Sequence, residues 1–128
     1  MKIVLNILLI LNSALAFSQV AEFNFLDKTT VKWGKVHEGE QLVHYFVFEN
    51  TGEVPLIIED AQVACPCTKV DFPKEPVAPG ASDSIKVSFD TNGKFYYQDR
   101  TVILSANTKK DEKLRLKVYV IPKEEGKD

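Results

Sequence analysis

Two side chains in this sequence can bond to each other, to a soft metal ion or to a foreign thiol. They are Cys65 and Cys67, separated only by Pro66, and they are the only two cysteines among 128 residues. A disulfide can close over so short a span if the chain bends, and Pro66 fixes one dihedral of that bend. Loop-closure entropy gives a ring of this size roughly 1.6 kcal/mol before any strain is subtracted, so the bond would be a local lock and not the staple of a fold. Strained disulfides are readily reduced, which makes redox exchange a second use. A pair of thiolates also suits Cu(I) or Zn(II), with His44 as the further donor in a metal set of Cys65, Cys67 and His44. A closed zinc site needs four ligands, and the chain holds only two histidines, His37 and His44.

Other candidates are few. His44 lies in phase with Phe46 and Phe48, the setting of a hydrogen-bonded boundary residue more than of a ligand. Asp90-Thr91-Asn92-Gly93 opens like a calcium loop but lacks the bidentate glutamate at its twelfth position, and reads as a turn. Phe95, Tyr96 and Tyr97 are consecutive and cannot all face inward from a strand. At least one is expected to cover a sandwich end or to form a contact patch for a partner or a sugar. There is no nucleophile elbow, phosphate-cradling glycine loop or metalloprotease helix. No catalytic residue is assigned, no enzyme is expected, and no cofactor is called for.

The elements that must position these residues alternate with a period of two. In the stretch 21–25, Phe23 and Phe25 share a face. In 31–36, Val31 and Trp33 share one, and Gly34 shifts the phase, which predicts a bulge or a bend. The stretch 42–48 has apolar residues on both faces: Leu42, Phe46 and Phe48 on one, Val43, Tyr45 and Val47 on the other. That pattern predicts a central strand covered on both sides. A strand over 56–64 then runs into the cysteine pair. Three prolines, Pro73, Pro76 and Pro79, keep the next segment out of a sheet interior. Further strands are expected over 84–89, 100–105 and 113–121, the last with Leu114, Leu116, Val118 and Val120 on one face. About seven short strands, turn residues between them and no helical period predict an all-β, immunoglobulin-like antiparallel β-sandwich.

The first eighteen residues stand apart. Lys2 is followed by an apolar run and then by the small residues Ser13, Ala14 and Ala16, the pattern of a cleaved secretory signal peptide, too short to span a bilayer well. Cleavage after Ser18 is preferred to cleavage after Ala16. The expected organisation is thus a signal peptide over 1–18, the sandwich over 19–122 and a charged flexible tail over 123–128. Loss of Lys2 leaves 15 basic residues against 18 acidic ones. No basic stripe is present, so nucleic acid is not an expected partner, and no later stretch is long and apolar enough to span a membrane. The expected address is secreted, periplasmic or extracellular, where disulfides form.

The order of motifs adds a resemblance. Gly34-Lys35-Val36, then His44-Tyr45-Phe46-Val47-Phe48-Glu49-Asn50-Thr51-Gly52, then Pro55-Leu56-Ile57-Ile58 lead into Ala64-Cys65-Pro66-Cys67-Thr68. Pro79-Gly80 and Ser84-Ile85-Lys86-Val87-Ser88-Phe89-Asp90-Thr91 follow. Together they resemble the bacterial secreted family catalogued as domain of unknown function 1573, which is related in fold to the immunoglobulin-like domains of hydin and major sperm protein. The resemblance spans nearly the whole chain after residue 18. It implies a fold and an envelope location, and no activity. The chain departs from the family pattern at Pro66, where glycine is usual, and after Gly93-Lys94, where Tyr96 and Gln98 stand in place of a second glycine and an aromatic residue. The functional expectation is a non-catalytic structural or binding module with a protein partner in the cell envelope. The alternative is a thiol-based metal or redox protein acting through Cys65-Pro66-Cys67.

Overall fold

The computed structural model describes residues 19–124. The expected signal peptide over 1–18 lies outside them, as do residues 125–128 of the expected tail. Eight strands follow in order: β1 (Phe23–Phe25), β2 (Thr30–His37), β3 (Gln41–Asn50), β4 (Ile58–Val63), β5 (Thr68–Asp71), β6 (Ser82–Asp90), β7 (Tyr96–Ala106) and β8 (Glu112–Ile121). They form two four-stranded sheets, ordered β1-β3-β6-β5 and β2-β8-β7-β4. Among the described residues no helix is long and apolar enough to cross a membrane.

Alternation builds the core. The even positions of β3 and the odd positions of β6 bury Phe46, Phe48, Ile85, Val87 and Phe89. Against them pack Val102, Leu104, Leu114, Leu116, Val118 and Val120 of β7 and β8, in one cluster. At about 1.5–3 kcal/mol for each fully buried aliphatic or aromatic side chain, this layer is what opposes chain entropy.

The immunoglobulin-like sandwich is as expected, with three differences. The eighth strand is β5, whose four residues include two charged ones and leave little period to read. The β2–β8 pair is parallel, with Val31 against Leu116 and Val36 against Val120, whereas the other pairs are antiparallel. The expectation that β3 is covered on both faces is corrected: Val43, Tyr45 and Val47 are 43%, 55% and 40% exposed. A two-layer sandwich offers each sheet one covered face, and no third layer lies over β3. The bulge expected at Gly34 is present. The β2–β8 register shifts between Lys32 and Lys35, and Gly34 has φ of 72°, a conformation that costs little without a Cβ.

Candidate functional site

The cysteines sit where the chain changes sheets. β4 ends at Val63 in one sheet and β5 begins at Thr68 in the other, so the corner spans only residues 64–67. Cys65 and Cys67 are disulfide-bonded, with Cα atoms 5.2 Å apart. The Cys67 N–H donates to Cys65 Sγ at 3.2 Å, and the Thr68 N–H donates to the Cys65 carbonyl at 3.1 Å. The Cys67 carbonyl accepts from the Asp90 N–H at 2.9 Å, anchoring the corner to the end of β6. Cys67 packs against the core, while Pro66 is exposed.

His44 lies elsewhere. It is half-buried on β3, with its ring 4.6 Å from that of Phe46 and 6.5 Å from that of Trp33, both edge-on. Among the described residues, no three His, Cys, Asp or Glu side chains are grouped to hold a metal ion. Asp90, at the start of the calcium-like segment, is already engaged. Its carboxylate accepts from the Asn92 N–H at 2.9 Å and the Gln41 side chain at 2.6 Å. The Asn92 bond first, then Gln41, hold its pKa below the ordinary aspartate value.

The motif Asn50-Thr51-Gly52 proves to be architectural. Asn50 is fully buried. Its Nδ2 donates to the carbonyls of Val54 (2.8 Å) and Val77 (2.9 Å), and its Oδ1 accepts from the N–H of Gly52 (2.9 Å) and of Glu22 (3.3 Å). A Cβ on Gly52 would collide with the Val20 carbonyl oxygen and the Ala21 backbone, which only glycine avoids. Thr91 does similar work between two turns, donating to the Glu40 carbonyl at 2.7 Å and accepting from the Gly39 N–H at 2.9 Å.

Phe95, Tyr96 and Tyr97 are all exposed, at 51%, 60% and 60%. Tyr96 has φ of 63°, a left-handed turn into β7. Register then adds what the sequence order concealed. Tyr97 stands opposite Tyr119, and Tyr119 stands beside Lys35. The Tyr96 and Tyr119 rings are 6.2 Å apart, and Lys35 Nζ lies 5.9 Å from the Tyr119 ring centroid. Tyr119 and Lys35 were not singled out from sequence. The available signal was that the odd positions of β8 point away from the core that Leu114, Leu116, Val118 and Val120 occupy, but their neighbours depend on strand pairing.

A search of curated proteins returns no match. Among solved structures, a protein of unknown function from Porphyromonas gingivalis W83 superposes with TM-score 0.69 at 16% identity, covering 84% of this chain and 50% of that one. The chain thus spans half the length of that protein. The ASH/PapD-like domain 7 of human CEP192 superposes with TM-score 0.63 at 10% identity, covering 84% of this chain and 89% of that domain. The periplasmic chaperone SfaE gives TM-score 0.52 at 13% identity, covering 81% of this chain and 58% of that one. At these identities what is shared is the immunoglobulin-like fold. The family model described as "Protein of unknown function (DUF1573)" matches residues 24–120, and the chain belongs to that family.

Proposed function

We propose that this protein is a non-catalytic, secreted module of the cell envelope that binds another protein by pairing a free sheet edge with a partner strand. One observation carries the reading. β2 is an eight-residue strand at the margin of its sheet, hydrogen-bonded to β8 on one side and, among the described residues, to no strand on the other. Such an edge presents main-chain donors and acceptors in a row. Likeness in fold to a periplasmic chaperone and the signal-peptide pattern of residues 1–18 support the same reading. So does the occupation of the polar motif residues Asn50, Thr91 and Asp90 by structural hydrogen bonds.

The test is positional. A photo-crosslinking residue placed at Lys35 on β2 is expected to give discrete protein adducts in the envelope, while one placed at exposed Glu75 in the β5–β6 loop gives none. Adducts at neither position, or equally at both, would rule out pairing at this edge.

A further inference from the structure

The outward face of the β2-β8-β7-β4 sheet carries a second surface, which begins at β2 and extends over the neighbouring β8 and β7. Across it, Tyr97, Tyr119 and Lys35 form one row, and Asp99, Lys117 and Lys32 the next. Lys32, Gly34, Lys35, Tyr97, Lys117 and Tyr119 line an open hollow of about 390 Å³. Lys28, Thr30, Lys32 and Lys117 line a second hollow of about 410 Å³, which adjoins the first through the two lysines they share. No carboxylate lines either one. Asp99 is engaged by Arg115, whose Nη2 and Nε lie 2.8 and 3.0 Å from its oxygens. Four lysines thus line the two hollows without a carboxylate in either lining, and the acid set opposite Lys117, Asp99, is held by Arg115, on a chain whose net charge is −2.

The main chain narrows the choice of ligand. β8 and β7 are interior strands, each paired on both sides, so their amides and carbonyls are not free to hold an extended peptide. Over β7 and β8 recognition comes from side chains: two aromatic faces beside ammonium groups. That combination suits a polymer of rings bearing carboxylates. Pyranose rings have an apolar C–H face that lies flat on an aromatic ring, and the carboxylates meet the lysines.

We propose that this face binds an acidic glycan of the uronic-acid type, with Tyr97 and Tyr119 as stacking platforms and Lys28, Lys32, Lys35 and Lys117 as carboxylate partners. The experiment is calorimetric titration of the purified protein with oligogalacturonate and with alginate oligomers, beside a neutral cello-oligosaccharide, an oligoglutamate peptide and an oligothymidylate. At least one oligouronate is expected to bind, more weakly as salt rises. Affinity should fall roughly tenfold in Tyr97→Ala, in Tyr119→Ala and in the double variant Lys32→Gln/Lys117→Gln, and stay within about twofold in Tyr97→Phe, which keeps the ring. Tyr45→Ala, on the opposite sheet, should change nothing. Tyr97, Tyr119, Tyr45 and Lys32 are exposed and Lys117 is half-buried, and thermal melts check that each variant folds. Failure of both oligouronates to bind overturns the proposal. So does equal or tighter binding of the peptide, the oligonucleotide or the neutral sugar, as does an equal loss in Tyr45→Ala.

Discussion

Asn50 uses every hydrogen-bonding position of its amide without exposing any surface. From the sequence, Asn50-Thr51-Gly52-Glu53 reads as a turn. The burial of Asn50 is tertiary in origin: the Val54 carbonyl finds its donor in Asn50 Nδ2, and the N–H groups of Glu22 and Gly52 find their acceptor in its Oδ1. Asn50→Ala removes these three partners, while the Val77 carbonyl keeps the Leu56 N–H at 2.8 Å, and a loss of about 2–4 kcal/mol is expected, read as a lower urea midpoint at unchanged slope. The cysteine pair is the opposite case, where the residues were plain in the sequence and their place was not. Their corner is already held by the Cys67 carbonyl and the Asp90 N–H. Cys65→Ser/Cys67→Ser is therefore expected to cost no more than about 1.6 kcal/mol and to leave partner crosslinking intact. Loss of crosslinking in a folded double variant would favour the thiol-based reading instead.

At the level of elements, alternation located seven of the eight strands because their buried faces are regular, as in Ile85, Val87 and Phe89. It failed at β3, where apolar residues on both faces implied a covering layer that the sandwich does not have. Alternation reports what a strand could bury, whereas burial depends on what stands opposite. It also could not give the β7–β8 register that sets Asp99 against Arg115. There the side-chain hydrogen bond from Arg115 holds the Asp99 carboxyl below the ordinary aspartate range, with the charges of Arg115, Lys117 and Arg100 adding to it. A carboxyl depressed in the folded state adds stability above its unfolded pKa of about 3.9, and that stability is lost as pH falls through the folded value. Asp99→Asn is thus expected to be less stable by about 0.5–1 kcal/mol at neutral pH, with the gap to the parent closing below about pH 4. Paired thermal melts across that range check both the size and the sign.

For the whole molecule, the fold could be read from the sequence because each inner face repeats one physical rule. Of the candidate surface the sequence offered Tyr97, within the run Phe95-Tyr96-Tyr97, but not Tyr119 and Lys35, which strand pairing brings beside it from far along the chain. The parallel β2–β8 pair has a temporal consequence. Thr30 meets Arg115 only after 85 further residues have been made, and until then β2 has, among the described residues, no neighbour in its own sheet. Contacts of such wide separation form late and slowly. A chain emerging from synthesis would stay pliable until β8 is made, that strand acting as the latch. A version ending at Asp111 is accordingly expected to remain protease-sensitive and to lack a cooperative melt, while a separately supplied peptide of residues 112–121 should restore both resistance and cooperativity.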